Sequence, residues 1–258
     1  MPGKVLLGVR VTAAALAQRF PEQSDTARTA ASAVLATIVP ATLGWADAQR
    51  IGIGLQQRYG EQVQRLLDVM AADAVRTAPQ HLSRLISLLE TCAEQLTPPT
   101  GIGQWLRKDK LRPADLHSRE IEQLKSRLSR LVSELEPTMA QVMKIRDDMA
   151  TLAAELLATS LACEWLSDDA TLATEVRSAL TERALALTKT LALVRQQQEQ
   201  STATAMGLDA LRDRIHDGVL NALPSWLAHL STLPPELNDT QRYVVRDELA
   251  QIIYRLKK

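Results

Sequence analysis

The residue types that most often bind metals or attack substrates are few in this chain and stand far apart. The histidines are His81, His117, His216 and His229, and the cysteines are Cys92 and Cys163. No two histidines lie three or four residues apart, and neither cysteine belongs to a Cys-x-x-Cys pair. A metal site on a helix needs ligands at such spacings, so we expect exposed or partly buried histidines on helices. The pattern predicts no catalytic residue, no metal ligand and no cofactor, and therefore a protein that is not an enzyme.

Paired carboxylates and short glycine motifs are equally weak signals of chemistry. Asp147-Asp148 and Asp168-Asp169 are adjacent pairs. Neighbours on a helix point about 100° apart, so neither pair forms a ready-made dyad. We expect the first pair on a solvated face and the second in a cap or turn. Gly52-Ile53-Gly54 and Gly101-Ile102-Gly103 resemble pieces of phosphate-binding loops, but neither has a preceding strand or a following Lys-Ser or Lys-Thr.

Composition predicts that the elements positioning these residues are helices. Of the 258 residues, 46% are hydrophobic and only 3% are aromatic. The apolar residues are largely Ala and Leu, which favour helices, whereas strands favour aromatic and β-branched residues. We therefore predict an all-α fold, an elongated helical bundle with long antiparallel, partly coiled-coil helices.

Charge and cysteine content limit the class of partner. Lys and Arg total 30, Asp and Glu total 30, and the formal net charge is +0. Nucleic-acid-binding proteins usually carry a basic excess or a basic stripe, so we expect no nucleic-acid partner. Two separated cysteines fit a reducing cytoplasm, and residues 1–20 fit an amphipathic helix better than a signal peptide. We predict a cytoplasmic protein with protein partners, self-association among them, and no transmembrane segment; peripheral membrane contact stays open.

The N-terminal region is predicted to form several short helices. Ser24 can cap a helix that should end before Pro40, and residues 61–73 carry apolar residues at helical spacing. Four glycines, Gly44, Gly52, Gly54 and Gly60, lie before that pattern, where we expect them to interrupt helical structure.

A boundary is predicted after the next helix. Pro79 suits the first position of a helix over 80–96. The Pro- and Gly-rich stretch 97–113 then predicts a linker. It would divide the chain into an N-terminal short-helix region, 1–96, and a long-helix bundle, 114–258.

The strongest periodic signal follows this linker. Apolar residues spaced by three and four up to Leu135 define a heptad seam, and the same heptad count continues beyond Pro137 with Thr159 as one polar member. The apolar residues of the seam are Ile121, Leu124, Leu128, Leu131, Leu135, Val142, Ile145, Met149, Leu152, Leu156, Cys163 and Leu166. Pro137 does not break the heptad count, and 134–138 lacks the glycine of a hairpin turn. We therefore predict one kinked but continuous helix over 116–166. Its seam can be buried against the next helix, which we favour, or in an intermolecular coiled coil.

A second long segment is predicted over about 170–205. It ends in RQQQEQSTATAMG, which is polar all round, so we expect an exposed tip or a solvated section there. A new stripe begins after Gly207, Pro224 should kink or restart that helix, and Asn238-Asp239 should cap a final helix.

The C-terminal part of the chain resembles a known family. Residues 208–230, LDALRDRIHDGVLNALPSWLAHL, are similar to the pattern near the end of the TelA/KlaA toxic-anion (tellurite) resistance family. There a helix with regularly placed Leu or Ile precedes a hydrophobic-Pro-x-Trp segment, here Leu223-Pro224-Ser225-Trp226. The family's long, Gln-rich helix is similar to LTERALALTKTLALVRQQQEQ, although Lys commonly follows the Trp where this chain has Leu227. The resemblance implies a cytoplasmic helical protein associated with resistance to tellurite and related stresses.

On this resemblance we expect a divergent or shortened family member that acts without enzymatic chemistry, through protein–protein contacts. The alternative is a helical adaptor or regulatory scaffold subunit of a secretion or envelope-associated system. Pro224, Trp226 and Trp105 are the candidate residues for a partner contact or a structural anchor. A Trp presents a large apolar surface with one donor, so Trp226 can anchor either a core or an interface.

Overall fold

The computed structural model describes residues 11–97, 112, 116 and 118–258, and nearly all of these residues lie in helices. None of them lies in a strand, which confirms the all-α prediction. The α-helices are α1 (Ala13–Arg19), α2 (Asp25–Thr37), α3 (Trp45–Arg50), α4 (Ile53–Met70), α5 (Asp73–Leu96), α6 (Ser118–Ser167), α7 (Thr174–Arg214), α8 (Leu223–Thr232) and α9 (Asp239–Lys257). A 3₁₀ turn covers Pro40–Thr42, and a π-helical segment, Ile215–Ala222, joins α7 to α8.

Two predicted helix caps are confirmed. Ser24 Oγ accepts a hydrogen bond from the Ala27 amide at 3.2 Å at the start of α2. At the start of α9, Asn238 Oδ1 accepts from the Gln241 amide at 2.9 Å, and Gln241 Oε1 accepts from the Asn238 amide at 3.0 Å. Both caps satisfy amides that have no partner inside the helix.

The prediction that glycines interrupt the chain before residue 61 is wrong for two of them. Helix α4 begins at Ile53 and runs through Gly54 and Gly60. A glycine inside a helix costs only about 1 kcal/mol relative to alanine, which packing of the helix can outweigh. Gly52 does form a turn, with φ of 73°, and leads from α3 into α4.

Two other predicted boundaries are also wrong. Helix α5 begins at Asp73, so Pro79 lies inside the helix rather than at its first position. The polar stretch before Gly207 is not a tip, because α7 continues through it to Arg214. Most of its residues are exposed or half-buried, as the alternative of a solvated section predicts. Ser201, in the middle of that stretch, is fully buried.

The predicted continuous helix is confirmed. Helix α6 runs from Ser118 to Ser167 and includes Pro137. Every residue of the heptad seam is buried. Helices α6 and α7 pack antiparallel across the loop between them, where Ser160 Oγ donates to the Ala184 carbonyl at 3.1 Å. Whether the seam also forms a coiled coil stays a prediction.

The chain forms two compact units, and each combines segments that are distant in sequence. The first unit contains Met1–Leu67 and Val142–Ala203, and the second contains Asp68–Gln141 and Thr204–Lys258. These units differ from the predicted division at 97–113, because α6 and α7 each contribute residues to both. Most of 97–113 lies outside the described residues.

In the first unit, Arg183 on α7 connects two helices near the Gly52 turn. Its Nε donates to the Ile51 carbonyl at the end of α3, and its Nη1 donates to Gln56 Oε1 on α4 at 2.9 Å. Gln56 Nε2 then donates to Thr190 Oγ1 at 2.9 Å. These hydrogen bonds satisfy polar groups that packing removes from water.

In the second unit, α5 packs on α9, and α9 also packs on the π-helical segment and α8. Lys257 near the end of α9 forms an ion pair with Glu90 on α5. The buried stripe of α9 is Val245, Leu249, Ile252 and Leu256. This packing brings the C-terminal helix against the stretch 208–230.

One described stretch, Arg119–Ser167, is long and apolar enough to cross a membrane by length and composition alone. Its most apolar 18-residue window has a mean hydropathy of 1.2, and 61% of that window is buried inside the protein. A core helix has the same length and composition, so this stretch is weak evidence for a membrane span.

Candidate functional site

The candidate site is built on the π-helical segment Ile215–Ala222. Pro224 has no amide hydrogen, so it cannot donate to the carbonyl four residues earlier. Just before it, the Leu223 amide donates to the Gly218 carbonyl five residues back, which is the π-helical pattern. Pro224 was predicted to kink or restart the helix. In the structure the chain instead changes from α-helix to π-helix just before this proline.

Gly218 allows α9 to approach the π-helical segment closely. A Cβ atom at Gly218 would lie 2.1 Å from Leu256 Cδ2 and 2.8 Å from Leu256 Cγ. Leu256 is fully buried, so its side chain has little room to move. The absence of a side chain at Gly218 thus leaves the room that α9 needs to lie this close.

Trp226 also fixes α8 against α9. Its side chain is 2% exposed, and its Nε1 donates to the Val245 carbonyl at 3.1 Å. A buried indole needs such an acceptor for its one donor. The structure therefore places Trp226 in the core of the second unit, while Trp105 lies outside the described residues.

Between the π-helical segment, α8 and α9 lies a groove of about 470 Å³. Its lining residues are Asn221, Ala222, Ser225, Trp226, His229, Glu248, Gln251, Ile252 and Arg255. His229 on α8 and Glu248 on α9 connect the two walls, with His229 Nδ1 2.8 Å from Glu248 Oε2. We call this concavity the π-helix groove.

Two smaller concave surfaces join the π-helix groove at Arg255. One, of about 420 Å³, is lined by Asp213, Arg214, Asp217, Asn221, Arg255 and Lys258. The other, of about 410 Å³, is lined by Ala250, Gln251, Tyr254 and Arg255. Arg255 lines all three concavities, so it stands where they meet.

The charged residues of this surface differ in their partners. Asp213 is 2.7 Å from the Arg212 guanidinium, and Glu248 is held by His229. By contrast, within the described residues Arg255 and Lys258 form no ion pair. In the part of the chain that the structure describes, the surface therefore presents cationic side chains that make no direct contact with a carboxylate.

The outer face of α9 beside the groove is aromatic. Tyr243 and Tyr254 are 63% and 66% exposed, and Val244 is 43% exposed. Tyr243, Ala250 and Tyr254 recur at helical spacings, so they lie along one face. This face continues the groove surface, since Ala250 and Tyr254 line its smaller neighbour.

The residues first considered for chemistry do not come together. His216 is exposed and accepts from Asn221 Nδ2 at 3.2 Å, His81 lies on α5, and His117 is outside the described residues. Asp169 Oδ1 accepts from the Thr171 amide and hydroxyl at 2.9 and 2.7 Å, which lowers the pKa of that carboxyl and confirms the predicted turn. No group of three or more His, Cys, Asp or Glu in the described part of the chain could hold a metal ion.

Both cysteine thiols lie inside the protein. Burial raises the pKa of Cys92 to about 11 and that of Cys163 to about 12, although the charge of Arg183 opposes the shift at Cys163. Cys92 Sγ lies 3.7 Å from the Leu116 carbonyl oxygen, to which its thiol donates. At neutral pH both groups are therefore protonated thiols rather than nucleophilic thiolates.

Sequence reasoning identified one wall of the π-helix groove and missed the other. Pro224 and Trp226 mark the wall formed by 208–230, but Tyr254 and Arg255 on α9 were not singled out. No sequence signal marked these two residues, because exposed positions lie between the members of a buried stripe on any amphipathic helix. No protein-family model, no curated protein and no solved structure matches this chain.

Proposed function

We propose that this chain is a non-enzymatic resistance protein related to the TelA/KlaA toxic-anion (tellurite) family, acting by binding a partner protein in the π-helix groove. The observation that carries the proposal is the position of residues 208–230. The stretch that resembles this family includes the π-helical segment and α8, which form one wall of the groove.

Thiol chemistry supports a role without reduction of the oxyanion. Reduction of tellurite by cysteine requires an accessible thiolate that can attack the tellurium centre. Cys92 and Cys163 are both 0% exposed, and burial raises the pKa of each. These two thiols are therefore poorly suited to react with an oxyanion in the folded protein.

The shape of the groove supports a binding role. Trp226 connects α8 to α9 by its hydrogen bond, and Gly218 leaves room for α9 to pack closely, while Ser225 and Arg255 remain exposed on the two walls. A groove with well-packed walls and exposed polar side chains can select a partner without chemical change. In this proposal Trp226 contributes to binding indirectly, by holding the walls together.

Deletion of the gene tests the proposal. We expect the deletion strain to survive less well in tellurite, and we expect the purified protein to leave tellurite unreduced when a simple electron donor is supplied. Reduction of tellurite by the purified protein would contradict the non-enzymatic role. Unchanged survival of the deletion strain would instead favour the alternative, a helical adaptor or regulatory subunit of a secretion or envelope-associated system.

A further inference from the structure

We infer that the π-helix groove binds a protein segment in which acidic side chains alternate with apolar ones. This inference rests on the proposed function, because it names the chemistry of the partner that the groove would hold. It is drawn from the charges, the exposed aromatic residues and the mixed polarity of the groove surface.

The first step is the imbalance between paired and unpaired charges. Arg255 lies at the meeting point of three concavities, and Arg214 and Lys258 line one of them. Among the described residues none of these three cations forms an ion pair. Of the carboxylates on the same surface, Asp213 pairs with Arg212 and Glu248 contacts His229, whereas Asp217 has only the His216 ring, 3.5 Å away. A complementary partner would bring acidic groups to Arg255.

The second step is the exposed apolar surface next to these cations. Tyr254 is 66% exposed and directly precedes Arg255, and Tyr243 is 63% exposed on the same face of α9. Tyr and Arg are enriched among the residues that dominate binding energy at protein interfaces. Apolar side chains of a partner can pack on Tyr254 while its carboxylates reach Arg255.

The third step separates a protein segment from a phosphate-rich partner. The same surface contains the carboxylates of Asp213, Asp217 and Glu248. A nucleic acid or an anionic membrane brings closely spaced negative charges, which these carboxylates repel. A protein segment can place neutral or basic residues opposite them and acidic residues opposite Arg255, so the mixed surface favours a protein.

Two designed peptides test the inference with the full-length chain. Each has about 15 residues, with Leu on one face of a helix and Gln at the other positions, except that two positions beside the Leu face are Glu in one peptide and Lys in the other. Binding of each labelled peptide is measured by fluorescence anisotropy at low and high salt. We expect binding of the Glu peptide that weakens with salt, and no comparable binding of the Lys peptide.

A charge reversal then locates the binding surface. Arg255→Glu should weaken binding of the Glu peptide by at least about fivefold, since it replaces an attraction with a repulsion. The matched control is Arg76→Glu, which makes the same change at an exposed arginine on α5 that does not line the groove. The control should bind like the wild type, and melting curves of both variants should show that they are folded.

The inference is overturned if the two peptides bind equally well, or if the Glu peptide does not bind at a concentration of about 1 mM. It is also overturned if Arg255→Glu and Arg76→Glu weaken binding of the Glu peptide equally. Binding of phosphatidylserine vesicles or of single-stranded DNA in place of the Glu peptide would also overturn it. The proposed function has a separate test. It is contradicted if blocking the groove does not lower the survival of the strain in tellurite. The expected outcome is Glu-peptide binding that depends on salt and on Arg255.

Discussion

The packing of Gly218 against Leu256 leaves no room for a side chain. We expect Gly218→Ala to lower the free energy of unfolding by about 1–3 kcal/mol, because the new methyl group would meet Leu256 Cδ2 at 2.1 Å. Gly207 provides the matched control, since a Cβ atom there meets nothing within 4 Å. Gly207→Ala should stabilise α7 by up to about 1 kcal/mol. Urea unfolding of both variants measures the difference, and equal stabilities would contradict the close approach of α9.

Trp226 tests how firmly α8 is held against α9. Truncation to alanine removes a side chain that is 2% exposed, so Trp226→Ala should cost about 3–5 kcal/mol of unfolding free energy. Trp226→Phe retains part of the packing and loses the donor to the Val245 carbonyl, so it should cost less. Thermal melting compares the two variants. A Trp226→Ala protein with unchanged melting would mean that this residue does not close the core.

The sequence predicted the importance of some single residues for identifiable reasons. Pro224 and Trp226 stand out because proline alters any helix and tryptophan is rare in this chain, with 4 in total. Arg255 could not be identified, because an arginine near the end of a helix is common and its role depends on neighbours distant in sequence. Its unpaired charge becomes visible only when α9 lies beside the π-helical segment.

At the scale of elements, Pro137 lies in the long helix α6 at an exposed position. Proline inside a helix removes one hydrogen bond and clashes with the preceding turn, so we expect Pro137→Ala to raise the unfolding free energy by up to about 3 kcal/mol. Ser133→Ala is the control, at an exposed position one turn earlier, and should change stability by less than about 0.5 kcal/mol. Urea unfolding checks both. A destabilised Pro137→Ala protein would show that the fold depends on this proline.

The helices could be predicted where apolar residues recur at helical spacing. They could not be predicted in detail where the local composition differs from what packing in the fold requires. The seam of α6 has both spacing and burial, so its continuity across Pro137 was readable. The stretch around Ser201 is polar and mostly exposed, but Ser201 itself is fully buried, and no local signal reveals the burial of that one residue. Pro224, which follows the π-helical segment, is visible in the sequence, whereas the close approach of Gly218 to Leu256 is a long-range contact that the sequence does not reveal.

At the scale of the whole molecule, each compact unit draws on distant parts of the chain. The second unit combines Asp68–Gln141 with Thr204–Lys258, so no single boundary in the sequence separates the units. The π-helix groove has the same origin, since its walls come from 208–230 and from α9. A sequence pattern can mark each wall, but only their packing makes a groove.

The central claim, that the π-helix groove carries the function, is tested most directly by blocking it. Ser225 is exposed in the groove, and Ser231 is exposed on the same helix outside it. A strain lacking the gene is complemented with the wild type, Ser225→Phe or Ser231→Phe, and survival in tellurite is measured. We predict that the wild type and Ser231→Phe restore survival, whereas Ser225→Phe does not, although both variants melt like the wild type. Full restoration of survival by a folded Ser225→Phe protein would contradict the account.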